Sequence, residues 1–310
     1  MKFLSKEKQI DMANQLSLKS RDIDVVLYNI LDESLPKEFM LDSLMMYINK
    51  DGGFGNGLYI DNYNPNSSVY QVYEAFRLLD LSGFDKSSDD ELFKDIINKA
   101  SNYLYNRNVL VNHLWNPNVI SNKDFPHNII FDDTDENLKL FGLHPTFALV
   151  GYTLKFFNET KAYYKKALKM ANKLIELYLA KEEVTKYDLI SVDSFINSVK
   201  NLNLFDSEIV KLENKLINDS LKLIDLDIIS PLDIIYVKDN KLDSLRNEAL
   251  DKLIDSVKDF GMWDYKTNWG TDKYPEEDSA NLKWIGANSA NNYYLLKYYE
   301  RLEKWKKQYV

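Results

Sequence analysis

The chain has 310 residues, of which 45% are hydrophobic and 13% are aromatic, and it contains no cysteine. This composition is too apolar for a disordered protein, and the lack of cysteine excludes disulfides, thiolate nucleophiles and thiolate metal ligands. The formal net charge of −9 disfavours nucleic acid as a partner, because a phosphate backbone attracts basic surfaces.

The polar N-terminal segment lacks the apolar region of a signal peptide, and no apolar run reaches the length of a membrane span. We therefore expect a cytoplasmic protein without a membrane-spanning segment. No linker or low-complexity tract interrupts the chain, which favours a single domain over residues 1–310.

Apolar residues recur with the period of a helix through most of the chain. Ser68 is placed to cap one helix, with Gln71 reaching back in a capping box, and Gly83 is placed to end it. The patterns predict eleven or twelve helices, ten of them at about residues 23–31, 41–48, 68–83, 91–105, 147–157, 164–178, 187–202, 206–216, 250–257 and 292–302, with residues 108–143 irregular.

A glycine-rich turn at residues 51–55, Asp-Gly-Gly-Phe-Gly, stands between the second and third of these helices. Its glycines allow a tight bend, and Phe54 is placed to pack between neighbouring helices. Residues 259–263, Asp-Phe-Gly-Met-Trp, repeat the unit near the C-terminus, with Trp263 as the aromatic plug. We interpret the two segments as a weak internal repeat of helix, turn, polar loop and helix.

These motifs resemble the turn–helix repeats of the terpenoid cyclase and protein prenyltransferase superfamily, and most of all its uncharacterised bacterial members with a DGGFG turn. The resemblance lies in Asp61, His144, Pro145 and Trp269 and in residues 51–55, 67–79, 148–154, 261–263 and 284–286. It implies an all-α fold, an (α/α)6 toroid of paired inner and outer helices around a central cavity. A small-molecule ligand in that cavity is the expected partner.

An acidic run supplies the candidate metal ligands. Asp132, Asp133 and Glu136 match the DDxx(D/E) spacing by which class I terpene synthases hold Mg²⁺ and a diphosphate. Residues 133–136 also resemble the DxDD motif of class II cyclases, so Asp135 joins the catalytic candidates. The alternative is a solvated loop. The zinc site of protein prenyltransferases requires a cysteine and is excluded.

The loop after the first turn holds the next candidates. In the resembling bacterial proteins this loop reads LEPD, whereas here it reads Leu58-Tyr59-Ile60-Asp61. Asp61 is therefore a candidate catalytic residue and Tyr59 a candidate substrate-binding residue. The alternative is that Asp61 braces the loop.

His127 and His144 flank the acidic run and are candidate substrate-binding residues. Trp269 and Trp284 are candidates for the cavity lining, because aromatic faces stabilise carbocations and also stack on sugar rings. The alternatives are a loop brace for each histidine and a structural plug for each tryptophan.

The primary expectation is a protein of the terpenoid cyclase or prenyltransferase type that acts on or binds a prenyl or other apolar molecule in an apolar cavity. A carbohydrate-active barrel, of the glycosidase or lyase type, instead requires a polar cavity with paired carboxylates and Trp or Tyr platforms. A non-catalytic binding or scaffold protein requires no convergent titratable groups. The sequence does not decide among the three, nor does it give the oligomeric state.

Overall fold

The computed structural model describes residues 1–108 and 110–304, and its regular structure is almost entirely helical. This part of the chain contains twelve α-helices: α1 (Lys6–Lys19), α2 (Asp22–Leu31), α3 (Phe39–Leu44), α4 (Val69–Leu81), α5 (Glu91–Asn102), α6 (Asp135–Phe141), α7 (Thr146–Phe156), α8 (Ala162–Ala180), α9 (Lys186–Val199), α10 (Asp206–Asp225), α11 (Asn240–Asp255) and α12 (Glu276–Tyr298). The all-α prediction is confirmed.

Residues 108–143, predicted to be irregular, contain helix α6 and several short elements, and a π-helical turn precedes them. A π-helical turn (Tyr103–Arg107) follows α5, and β1 (Leu110–Val111) pairs antiparallel with β2 (Leu114–Trp115). Two 3-10 turns, Ile120–Asp124 and Ile129–Phe131, precede α6, and a third, Pro231–Asp233, precedes α11. No helix among the described residues is long and apolar enough to cross a membrane.

The ends of α4 follow the predicted signals, with one difference at Gln71. The Ser68 hydroxyl accepts a hydrogen bond from the Gln71 backbone at 3.2 Å, and Gly83 beyond the helix has φ +84°. The Gln71 side chain does not complete the predicted capping box. It accepts from the Tyr59 backbone at 2.7 Å and donates to the Asn62 carbonyl at 3.0 Å, so it fastens the preceding loop to the helix.

The two glycine turns share one backbone geometry. Gly52 has φ +90° and Gly261 has φ +86°. The N–H of each donates to the carbonyl three residues earlier, Asn49 or Lys258, and both bonds are 2.9 Å long. Gly261 therefore corresponds to Gly52. The sequence repeat instead aligned Gly261 with Gly53, which is one residue later. Phe54 and Trp263 are both buried, as predicted.

The contacts between helices bring the two ends of the described chain together. Helix α4 packs against α7, α7 against α8 and α9, and α10 against α8 and α9. Helix α12 packs against α1 and α2, and the Leu4 backbone pairs with Arg301 and Glu303 at 2.8 and 3.1 Å. The helices α4, α7, α9 and α12 thereby come to surround one cavity.

Ala substitutions at Gly52 and Gly83 separate backbone strain from steric overlap. Both glycines have positive φ, but a methyl group on Gly52 would lie 2.5 Å from the Lys99 carbonyl oxygen, whereas Gly83 has no atom within 4 Å of that position. We expect Gly83→Ala to lower the free energy of unfolding by about 1–2 kcal/mol and Gly52→Ala to lower it by clearly more, as measured by urea denaturation. Equal losses would contradict the close approach of the turn to α5.

Candidate functional site

A cavity of about 790 Å³ opens among helices α4, α7, α9 and α12 and the loops that join them. This volume lies within the range of about 300–1,000 Å³ typical of small-molecule sites. Within the described residues its wall contains eight tyrosines: Tyr59, Tyr70, Tyr73, Tyr152, Tyr187, Tyr236, Tyr265 and Tyr294. Five carboxylates also line it: Asp61, Glu74, Asp80, Asp193 and Asp233.

Helix α4 supplies the densest part of the wall. Tyr70, Tyr73, Glu74 and Arg77 recur at intervals of three and four residues, so they share one helical face, and all four line the cavity. The apolar stripe on α4 packs into the hydrophobic core instead, and its residues are Val72, Ala75, Phe76 and Leu79. Sequence reasoning used only the apolar stripe, although the aromatic and charged stripe was the available signal for this wall.

The charges on this wall are paired. Arg77 donates to both oxygens of Glu74, at 2.7 and 2.9 Å, and donates to the Asn291 side chain at 3.1 Å. The pairing neutralises Glu74 and links α4 to α12. At another point of the wall, Lys155 donates to the Asp80 carboxylate.

Asp61 brings several of the predicted site residues together. Its Oδ1 accepts from the indole N–H of Trp269 at 2.9 Å and of Trp284 at 2.6 Å, and its Oδ2 accepts from the Thr267 hydroxyl at 2.9 Å. Burial raises the pKa of Asp61, and the three donors oppose that rise. Asp61 and Trp284 line the cavity, whereas Trp269 is fully buried and is absent from the lining that the described residues form.

Tyr59 and Tyr265 extend this cluster along the wall. The Tyr59 ring forms T-shaped contacts with Trp284 and Tyr70, with centroid distances of 5.6 and 4.8 Å. Tyr265 stacks on Trp284 at 5.0 Å with an interplanar angle of 28°. Tyr265 is 37% exposed, so this stack forms an aromatic platform that solvent and a ligand can reach.

His144 also lines the cavity and is only 2% exposed. Neither ring nitrogen has a hydrogen-bond partner among the described residues. Burial lowers the pKa of His144 to about 3, so the imidazole is neutral at physiological pH.

The first two carboxylates of the acidic run have separate partners. Asp132 Oδ1 lies 2.8 Å from the ring nitrogen Nε2 of His127, and Asp133 accepts a hydrogen bond of 2.8 Å from the Asn116 side chain. Asp135 and Glu136 are exposed in the first turn of α6, where the helix dipole favours acidic side chains. In residues 1–108 and 110–304 no three acidic or histidine side chains converge to hold a metal ion, and none of these four carboxylates lines the cavity.

His127 is a buried part of the loop next to the acidic run. Its Nδ1 lies 2.6 Å from the Phe125 carbonyl oxygen, and its Nε2 lies 2.8 Å from an Asp132 carboxylate oxygen. Each ring nitrogen therefore faces an oxygen acceptor. In the described structure His127 is not part of the cavity lining, so of the two predicted histidines only His144 reaches the cavity.

Asp193 on α9 is a buried carboxylate that the sequence did not single out. It accepts from the backbone N–H groups of Ile235, Tyr236 and Val237, at distances from 2.6 to 3.3 Å. These bonds hold residues 235–237 against the cavity wall. Burial nevertheless raises the pKa of Asp193 from 3.8 to about 6, because the hydrogen bonds offset only part of the desolvation of the charge.

Comparison of the chain with protein-family models, with curated proteins and with solved structures gives no match. The resemblance to terpenoid cyclases therefore stays a prediction from short motifs. Function has to follow from the chemistry of the cavity, because one fold hosts many activities.

Asp61→Asn tests the importance of the buried carboxylate. The amide keeps one acceptor oxygen and turns an NH₂ group toward buried donors, so we expect the free energy of unfolding to fall by about 3 kcal/mol in urea denaturation followed by tryptophan fluorescence. Asp133→Asn is the matched control, because Asp133 is exposed and accepts one hydrogen bond; its expected effect is within about 0.5 kcal/mol. Similar stabilities for the two variants would contradict the role assigned to Asp61.

Asp193 predicts a pH dependence of stability. Because its folded pKa lies above its unfolded value of 3.8, its contribution is fully present below pH 3.8 and is lost as the pH rises through about 6. Urea denaturation of wild type and Asp193→Asn at pH 4 and pH 7 should show wild type losing about 2 kcal/mol relative to the variant at the higher pH. A stability difference that is independent of pH between 4 and 7 would rule out this titration.

Proposed function

We propose that this chain is a single-domain α/α toroid whose central cavity binds a neutral, hydroxyl-rich ligand of the carbohydrate type. The packing supports the toroid in two ways. Helices α4, α7, α9 and α12 line the cavity and are the candidates for inner helices, with α7 packed between α4 and α9. Helix α12 packs against α2, so helices from the two ends of the described chain meet, as a closed ring requires.

The tyrosine-rich wall is the observation that carries the ligand class. A tyrosine ring offers an apolar face that can cover the C–H face of a sugar, and its hydroxyl can bond to the polar edge. The eight tyrosines of the wall, with Trp284 among them, surround a single cavity from several directions. Small-molecule sites typically combine aromatic side chains with polar groups at fixed positions, which determine the orientation of the ligand.

The charges in the cavity favour a neutral ligand. Five carboxylates face it against three basic side chains, Arg77, Lys186 and Lys266, which disfavours a diphosphate. Glu74 and Asp80 already have cationic partners, and Asp61 and Asp193 have hydrogen-bond donors. These four carboxylates are therefore already engaged by groups of the protein, which disfavours a cationic ligand as well.

The same pairing favours binding over acid–base catalysis. A general acid or base must exchange a proton with the ligand, whereas all five carboxylates accept hydrogen bonds from other protein groups. A prenyl substrate is also disfavoured, since a prenyl chain needs an apolar wall and the acidic run lies outside the lining in the described structure. The alternative of a terpenoid-cyclase-like activity remains a prediction from the sequence motifs.

Thermal-shift measurements with tetrasaccharides of glucose, xylose and N-acetylglucosamine test the ligand class against prenyl diphosphates with Mg²⁺ and against quaternary ammonium ions. We expect only saccharides to raise the melting temperature, because a ligand that binds only the folded state stabilises it. A shift with diphosphate or ammonium alone would overturn the proposal.

Tyr265→Ala then tests the aromatic platform. Loss of the ring that stacks on Trp284 should weaken binding of the best saccharide about tenfold in isothermal titration calorimetry, which corresponds to about 1.4 kcal/mol. Tyr163→Ala is the matched control, because Tyr163 is also partly buried against aromatic rings but does not line the cavity in the described structure. Equal affinities for the two variants would contradict the platform.

A further inference from the structure

His144 is a buried polar side chain whose hydrogen-bonding capacity is not used by the protein. It lies between the end of α6 and the start of α7, in the wall of the cavity. Both ring nitrogens lack a partner among the described residues, although the ring is only 2% exposed. Buried polar groups in native proteins are nearly always hydrogen-bonded, so each exception calls for a physical explanation.

His127 shows how this chain treats a histidine with a bracing role. It is as buried as His144, yet its two ring nitrogens meet the Phe125 carbonyl and the Asp132 carboxylate. His127 is not in the cavity lining that the described residues form, whereas His144 is. A ligand-binding side chain is expected to line the cavity and to have unused hydrogen-bonding groups. Among the described residues His144 meets both conditions and His127 meets neither.

Aromatic rings enclose His144 on its sides. The ring centroids of Tyr73, Tyr70 and Tyr187 lie 4.4, 5.3 and 5.7 Å from that of the imidazole, and all three tyrosines line the cavity. The neutral imidazole carries one N–H donor and one acceptor nitrogen. A hydroxyl group both donates and accepts, so it can satisfy either nitrogen, whereas a carboxylate or phosphate oxygen can only accept.

We propose that His144 anchors the ligand by hydrogen bonds between its ring nitrogens and hydroxyl groups of a neutral saccharide. The inference rests on the proposed carbohydrate-binding function and adds the residue that fixes the position of the sugar. The surrounding tyrosines cover the faces of the sugar, and His144 recognises its hydroxyls. Binding supplies the partners that the protein itself does not provide.

The test uses the full-length protein and two substitutions, His144→Phe and His144→Gln. Phenylalanine keeps a planar ring and removes both nitrogens, whereas glutamine keeps one donor and one acceptor group. Affinity for the saccharide that gives the largest thermal shift among the tetrasaccharides is measured by isothermal titration calorimetry. We expect His144→Phe to weaken binding at least tenfold and His144→Gln to weaken it less.

Urea denaturation supplies the readout that separates binding from structure. Removal of an unpaired buried polar group should leave the midpoint of His144→Phe unchanged or higher, while affinity falls. A lower midpoint with unchanged affinity would show a structural role and overturn the inference. If the saccharide binds wild type and His144→Phe equally, the anchoring role fails and the carbohydrate proposal stands. If no saccharide binds wild type, both fail.

Discussion

Three hydrogen bonds to one buried carboxylate join the loop after the first glycine turn to the loop and the helix α12 that follow the second. Asp61 follows the first glycine turn, and its donors Thr267, Trp269 and Trp284 follow the second. A buried carboxylate is costly unless its oxygens are satisfied, so the position of one loop determines the position of the other. Trp284 is held by this bond, and Tyr265 stacks on Trp284, so the accessible end of the cavity depends on it.

A helix that lies between a core and a cavity must serve two environments, and α4 shows how the chain does so. Ten of its residues are buried, yet only one stripe is purely apolar. The other stripe carries tyrosines and the Glu74–Arg77 pair, whose charges are tolerated because they neutralise each other. This stretch of the wall can therefore be polar without leaving an unpaired charge on α4 at Glu74 or Arg77, which suits an uncharged ligand that bonds through hydroxyls.

Local signals in the sequence predicted the local features. Periodicity gave most helices, and Ser68 and Gly83 marked the ends of α4, because caps and left-handed glycines act within a few residues. Tertiary partners lie outside that range. The spacing of Asp132, Asp133 and Glu136 matched a metal motif, but spacing does not show that Asn116 and His127 occupy two of these carboxylates. Whether such residues form a site depends on contacts between distant segments.

Asp193 and His144 both line the cavity, but in the described structure only Asp193 has hydrogen-bond partners within the protein. Asp193 receives three backbone donors, so its oxygens hold the chain and are unavailable to a ligand. His144 sits in the same wall without partners, and an unsatisfied buried group costs about 1–3 kcal/mol. Tyrosine rings enclose the imidazole on its sides. The hydroxyl groups of the proposed ligand would supply the missing hydrogen bonds, and the aromatic wall would then restrict which ligands can approach.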